Sequence, residues 1–402
     1  MDFAFLKFLS SAAVIALPAL LLFMLCGCAA SGSSENARPF GVSVIDFGAK
    51  GDGVSDDTAA IQAAIDAVHQ KGGGRVFFPY RPKGYRLASP GREEYNGWPL
   101  RAQLAIPPGS SNIYLEGEMP CRLLNSYLIV KPGTKTWTDK PTRFGTLRND
   151  NTFLFSTWSP PEEHDPSARP WAIIAAPENP DIKIAGKFST SCFSMANLEF
   201  RVHLDKDRMY PTQSGANLQN VSRVHVSNCQ FCLDDQVGDG ILNKELQENP
   251  CHTVGLMAAG DQNDHNTLNS VAAQGFKYGF VLGEHVFADY LYVHNCEEGI
   301  VFHDASHLSL ILCVVAQHNR RILTTSRGRL FGHYRGACNV EIAQVDAEPG
   351  TGHSPRINSL EYGVYDPENR LRGYLKWSFP PWAKQEFPVF GAENFRIRHF
   401  GD

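Results

Sequence analysis

An all-β solenoid, a single coil of stacked short strands with one α-helix near its N-terminal end, is the fold this sequence predicts. Two patterns carry the prediction. Residues Val271 to Leu282 (VAAQGFKYGFVL) return 20 residues later as Leu291 to Phe302 (LYVHNCEEGIVF), and a looser copy, Cys313 to Thr324, follows at a spacing of 22. Apolar residues alternate within each piece, as a strand buried on one face requires, and a repeat of this length suits three short strands per coil. Far upstream, Ile61, Ala64, Ile65 and Val68 fall at i, i+3, i+4 and i+7 and give one apolar helix stripe. A chain of 402 residues with 43% hydrophobic and 20% charged residues is globular in composition. Its length suits two or three ordinary domains or one repeat domain that lengthens without thickening its core.

Taken from the N-terminus, Lys7 precedes an apolar run from Phe8 to Leu25, broken only by Ser10, Ser11 and Pro18 and ending in Leu25-Cys26-Gly27-Cys28. The run is long enough to cross a bilayer, so an uncleaved anchor is one reading. Small and polar residues, Ala29 to Ser34, follow it in place of a basic flank, and the whole resembles a bacterial lipoprotein signal with its lipobox. That resemblance implies removal of 1–27, lipid on Cys28, and a polar tether over 28–41. With Ala29 where inner-membrane retention would use Asp, it implies a lipid-anchored protein of the bacterial cell envelope at the outer membrane.

Residues 42–87 spell the first coil. Val42, Val44 and Phe47 read as a short strand; Gly48, Gly51 and Gly53 mark turns that need positive φ. Ser55, Asp56 and Asp57 offer N-cap oxygens and negative charge to the dipole of the helix that follows. Gly72-Gly73-Gly74 stops the helix, and Arg75 to Pro79 and Gly84 to Leu87 read as strands. This stretch resembles the N-terminal signature of the pectate-lyase-like superfamily, the right-handed parallel β-helices that include polygalacturonase, rhamnogalacturonase-like and epimerase-like proteins. The resemblance implies a right-handed parallel β-helix over 42–360 whose helix caps the open end of the stack. It also implies that Asp52, Asp56 and Asp57 serve the cap and not catalysis. The fold hosts many reactions, so it does not by itself name one.

Residues 88–190 read as early coils interrupted by long loops, with strands at Asn112–Glu116, Tyr127–Val130, Thr152–Ser156 and Ala172–Ala176. Farther on, Ser222 to Phe231 repeats the strand-then-turn form, and Asn228 and Asn295 read as turn asparagines. Equivalent residues of adjacent coils, such as Phe276 with Cys296 and Phe280 with Ile300, are expected to stack. The aromatic-rich segment 361–402, with Trp377, Trp382 and Phe387 among its rings, reads either as a distal cap or as a sugar-stacking apron. Eight cysteines lie beyond the leader. An exported chain can oxidise them, but they are scattered, and unbridged structural thiols are the leading reading.

The chemistry is spelled less clearly. Lys and Arg total 37 against 42 Asp and Glu, a net charge of −5, which argues against a nucleic-acid partner. Cys232-Leu-Asp234-Asp235-Gln-Val-Gly-Asp239 resembles the paired-Asp segment of polygalacturonases, with His265 following in Asp261-Gln-Asn-Asp264-His265. On that resemblance Asp234, Asp235, Asp239 and Asp264 are the candidate acid and base, and His265 orients an acid or binds a hydroxyl, in the hydrolysis of an acidic or pectin-like polysaccharide. No cofactor is needed for that. The other polygalacturonase segments, Asn-Thr-Asp, Gly-His-Gly and Arg-x-Lys, are not found. Elimination is the second catalytic reading. It asks for a basic residue, Tyr or His to take the α-proton and a cation, Ca2+ included, to neutralise the uronate, and His294, Arg320 and Arg321 stand on later coils. Two bland readings stand beside these: the Asp run as a solvated turn, and the chain as a non-catalytic glycan-binding or structural surface lipoprotein.

Overall fold

The computed structural model describes residues 41–121, 151–178 except 164, 166 and 167, 189–203, 213–233, 253–259, 265–302 except 295, and 309–317. It also describes the strands 321–325, 340–342, 345–348, 364–365, 374–376, 386–389 and 395–397. The first coil opens with the strand Gly41–Ser43 and then departs from the expected strand: Val44–Phe47 is a 3-10 turn. Ser43 causes the change. Its hydroxyl accepts from the Ile45 N–H while Asp46 accepts from the Ser43 N–H, a reciprocal cap that is better satisfied by a turn than by a ladder.

Helix α1, Thr58–Gln70, follows, with Ile61, Ala64, Ile65 and Val68 fully or almost fully buried. Burying each isoleucine contributes about 1.5–3 kcal/mol. The Gln62 side chain ties α1 to the coil beneath by both giving and taking a hydrogen bond with the Ala105 backbone, at 3.0 and 2.7 Å. Capping is organised differently from the sequence expectation. Asp57 occupies the N-cap position without capping the helix; its carboxylate accepts instead from the N–H groups of Lys50 and Gly51, at 2.7 and 3.0 Å. Asp56 takes the helix N–H of Thr58 and also reaches Ala88 and Ser89, just past the strand Tyr85–Leu87. Asp52 closes the turn onto Val54 and Ser55. All three carboxylates are thus engaged in shaping the cap.

Beyond the cap the chain is a right-handed parallel β-helix. Its larger sheet runs through Gly41–Ser43, Gly74–Phe78, Ser111–Gly117, Thr190–Ala196, Val221–Leu233, Asn266–Gln274, Val286–His294, Ser309–Gln317, Val340–Ile342 and Phe395–Ile397, every pair parallel. A second sheet stacks Trp98–Ala105, Trp171–Ala175, Gln213–Asn217, Val254–Ala258, Tyr278–Leu282, Glu298–Phe302, Arg321–Thr325 and Val364–Tyr365. Between them runs one core that includes Phe193, Phe200, Phe231, Phe276 and Phe280.

The 20-residue repeat is a register. Leu268 lies opposite Ala288, Val271 opposite Leu291 and Phe280 opposite Ile300. Phe276 and Cys296 are both fully buried, joined by the bond from Glu297 N–H to the Phe276 carbonyl. The third copy is offset by one from the sequence alignment: Tyr290, not Leu291, faces Cys313, and Leu291 faces Val314. A one-residue slip exchanges the faces of a strand, and the structured register is the one that keeps Ile311, Val314 and Ala316 in the core.

Three columns fix the coil's path. Asn197, Asn228 and Ser270 all hold left-handed backbone at a corner of the large sheet, and Asn228 donates to the Asn197 side chain at 3.0 Å. Asn295 lies outside the described residues. At the other end of the same strands, Gly73, Asn112, Cys192, Arg223, His265 and His285 are left-handed on six successive coils. In the second sheet Gly215, Gly255 and Gly279 stand on successive coils, and a Cβ on each would meet the carbonyl of the next coil's glycine at 2.5–2.6 Å. That close approach explains why Gly279 and Gly299 mark the repeat. Six cysteines, Cys121, Cys192, Cys229, Cys232, Cys296 and Cys313, are free thiols. Burial pushes the Cys229 and Cys296 thiols up to about 12; they act as small core residues, with Cys229 donating to the Ser227 carbonyl.

Candidate functional site

Past the Asn197–Asn228–Ser270 corner the strands turn one set of side chains into the core and the other away from it. Phe200, Phe231, Ala273 and Val293 point inward on four successive coils. The alternate positions carry Glu199 and Arg201, then Gln230 and Cys232, then Ala272 and Gln274, then Tyr292 and His294. The register makes these two files: Glu199–Gln230–Ala272–Tyr292 and Arg201–Cys232–Gln274–His294. All are buried, with none more than 9% exposed. A polar file that is buried yet outside the hydrophobic core is the mark of a preorganised site.

Its first half is an ion pair. Glu199 accepts from Arg201 Nε at 2.6 Å, from Asn151 Nδ2 at 2.6 Å and from the Cys232 thiol at 3.3 Å. The Arg201 guanidinium lies 3.6 Å over the Phe153 ring. The Cys121 thiol belongs to the same neighbourhood: burial raises it well above its ordinary value, and the Glu199 charge adds to the rise. With its acceptor oxygens used three times over, Glu199 ties Arg201, Asn151 and Cys232 together.

The second half carries two titratable side chains, Tyr292 and His294. Tyr292 and His294 stand two apart on one strand, so their side chains leave the same face; their rings are 6.1 Å apart and inclined by 40°. Gln274 lies one coil away in register with His294. Its Oε1 is buried and has no hydrogen-bond partner among the described residues, an acceptor left for a hydroxyl or a water. Arg201 is three coils from His294, about 14 Å at the usual strand spacing.

Of the hydrolytic site residues expected from the sequence, only His265 falls among the described residues. Asp234, Asp235, Asp239 and Asp264, with Asp261 and Arg320, lie outside the described residues, as does Cys28. Asp234 follows directly on Leu233, the last residue of the strand that carries Gln230 and Cys232. His265 is described, and it is not at the polar file. It precedes the strand Asn266–Gln274, whose far end carries Gln274, and it sits exposed in the left-handed column with its ring 6.2 Å from His285. Its position is set by the tight corner before that strand, to which histidine is better suited than most residues. Among the described residues no group of three or more His, Cys, Asp or Glu side chains is arranged to hold a metal ion. Glu199, Arg201, Gln230, Gln274 and Tyr292 escaped sequence reasoning. The 20-residue repeat already aligned Gln274 with His294 and Ala272 with Tyr292; what was missing was which face each occupied.

Comparison with known proteins agrees with the opening signature. Residues 41–90 match the family of rhamnogalacturonase A and epimerase, pectate lyase-like proteins. Mannuronan C5-epimerase AlgE6 of Azotobacter vinelandii is 48% identical over 75 residues, 19% of this chain and 7% of that protein. Mannuronan C5-epimerase AlgE1 of the same organism is 62% identical over 55 residues, 14% and 4% of the two chains. Alginate lyase 7, also from Azotobacter vinelandii, is 62% identical over 52 residues, 12% and 6%. The matched segments thus span less than a tenth of the length of these relatives, which are polysaccharide-modifying enzymes. Among solved structures, the A-module of Azotobacter vinelandii mannuronan C5-epimerase AlgE4 is 13% identical, with a TM-score of 0.37 over 89% of this chain and 95% of that one.

Proposed function

We propose that this protein is a lipid-anchored enzyme of the bacterial cell envelope that cleaves glycosidic bonds in an acidic polysaccharide by elimination. The observation that carries the reading is the Tyr292–His294 pair on a buried polar file. A carbon α to a uronate carboxylate loses its proton to a neutral imidazole within hydrogen-bond reach. In this reading His294 takes that proton and the Tyr292 hydroxyl gives one to the departing glycosidic oxygen. The C–H and C–O bonds break as a C=C bond forms beside the carboxylate. Gln274 holds a sugar hydroxyl, and the Glu199–Arg201 pair keeps the file in place. Hard oxygen donors clustered as in Asp234, Asp235 and Asp239 suit Ca2+, which when bound would neutralise the uronate charge.

Two features support the substrate class. The segment 41–90 matches relatives that act on polysaccharides, and Glu199 of the file is already paired with Arg201, so that carboxylate does not stand uncompensated against an acidic polymer. The lipobox supports the address: Leu25-Cys26-Gly27-Cys28 sets Cys28 where the lipid is attached. Labelled fatty acid entering the wild type and not Cys28→Ser confirms the anchor; equal labelling of both refutes it.

The reaction is tested on polygalacturonate and alginate, reading the ultraviolet absorbance of the unsaturated product beside reducing ends. His294→Gln is expected to lower the rate by about 100-fold or more. Reducing ends without unsaturation would replace elimination by hydrolysis through Asp234, Asp235, Asp239 and Asp264. Retention of the polymer with no product of either kind would leave a binding protein.

A further inference from the structure

The left-handed column holds a second arrangement that the catalytic reading does not use. On three successive coils it carries Arg223, His265 and His285, at φ 57°, 60° and 54°. One stripe farther along the same strands, His225, Thr267 and Phe287 face one another in register. Arg223 and His265 are exposed, and Phe287 is 42% exposed. The side chains of Arg223, His225 and His265 make no hydrogen bond or ion pair with a described residue, so their N–H donors remain for solvent or a ligand. Earlier coils fill the same corner with Gly73, Asn112 and Cys192. Glycine and asparagine are what left-handed backbone favours, and histidine tolerates it; arginine does not, and the conformation gives no reason for Arg223.

The acidic groups nearby are already engaged. Glu284 is 2% exposed and lies 3.4 Å from His285 Nε2, and Asp289 accepts from the Ser270 N–H at 2.8 Å. The strip therefore presents the Arg223 guanidinium and imidazole nitrogens on a chain whose net charge is −5. Its repeat is the strand spacing, about 4.8 Å, comparable with the advance of one sugar unit along an extended polymer. An exposed phenyl ring within the strip offers a face on which a sugar ring packs.

We infer that Arg223, His225, His265, His285 and Phe287 form a secondary binding strip for an acidic polysaccharide lying parallel to the solenoid axis, at the opposite end of the strands from the Tyr292–His294 file. The substrate class rests on the function proposed above. The strip itself holds the polymer without touching the reacting bond, and so raises its local concentration at the enzyme.

The test is affinity electrophoresis of the full chain through gels containing polygalacturonate, with dextran as the uncharged control. Arg223→Asn combined with His285→Asn keeps residues that tolerate the left-handed corner. It is expected to weaken retardation by polygalacturonate about 10-fold, to leave migration in dextran and the melting temperature unchanged, and to flatten the salt dependence. Thr267→Lys, on the same strip, is expected to tighten retention about threefold. Unchanged retardation of the double variant overturns the inference; if that variant does not fold, unchanged retention of Thr267→Lys does so. Product formation by the unaltered protein is scored separately. No product, with retention still dependent on Arg223 and His285, removes the elimination reading alone, whereas product with unaltered retention removes the strip alone.

Discussion

The first coil and the later ones are held together by different means. Over residues 41–90, individual side chains tie individual backbone groups: Asp46 to Ser43, Asp52 to Val54 and Ser55, Asp56 to Thr58 and Ala88, Asp57 to Lys50 and Gly51. Over residues 213–302, the coils are held by repetition, with backbone ladders in constant register, a glycine file and stacked core side chains. A bond made once demands one residue type at one position. A ladder demands only that the residue be small, apolar or left-handed-tolerant, and many sequences meet it. The first coil is therefore strongly written and matches a family over 41–90, while the later coils carry the fold with little spelling.

The sharpest way to break this contrast is a buried charge in the cap. Ile65 is fully buried, and Ile65→Asp is expected to cost about 4 kcal/mol or more, through an unpaired carboxylate; a melting temperature equal to wild type would place the stripe in solvent. In the coils the comparable injury is steric. Gly279→Ala sets a methyl 2.5 Å from the Gly299 carbonyl and is expected to cost about 3 kcal/mol, read as a shift in denaturant midpoint with unchanged slope.

Next comes the hydrogen bonding of the cap. Asp57→Ala removes two charge-assisted bonds to Lys50 and Gly51 and is expected to cost about 2–3 kcal/mol. Acid sharpens the point, because the three aspartates titrate in opposite senses. The N–H groups of Ser55 and Val54, with the Ser55 hydroxyl, hold Asp52 down at about 2. Against desolvation, which opposes them, bonds from Ser89, Thr58 and Ala88 hold Asp56 lower still. The stability these two confer is complete above the ordinary aspartate value of about 3.9 and is lost as pH falls toward 2. Desolvation raises Asp57 despite its two backbone bonds, so its contribution runs the other way, present at low pH and lost as pH rises. With two groups against one, the melting temperature is expected to fall between pH 4 and pH 2, and Asp56→Asn is expected to reduce that fall.

The smallest effect belongs to the columns. Cys192 sits at φ 55° where glycine costs nothing; Cys192→Gly is expected to stabilise by about 0.5–1 kcal/mol, measured by thermal unfolding.

Legibility followed the same division. The amphipathic stripe of α1 was readable because 3.6-residue periodicity is a local property, and the 20-residue repeat was readable because Gly279 and Gly299 recur for a steric reason. The third copy was misaligned by one residue because Ile322, which the register sets opposite Gly299, gives no such marker, and only burial of Ile311 and Val314 decides the register. The candidate site was the least legible part. His294 was visible as one base among several, but its partnership with Tyr292 and Gln274 depends on which face a strand turns outward after the Asn228 corner. Glu199 and Arg201 gave no signal either, since their ion pair joins residues two apart on one strand and gains its meaning from Asn151, 48 positions away.

The constant register has an evolutionary reading as well. A segment that runs once around the axis and returns to the same corner, the same glycine and the same core positions 20 residues later is compatible with its own duplicate. Copying residues 278–297 in tandem would set Gly279 on Gly279 and Phe280 on Phe280, in the relation those residues already have to Gly299 and Ile300. A protein built this way can lengthen by gene slippage without redesigning its interior, whereas the cap, whose bonds are each made once, has to be inherited whole.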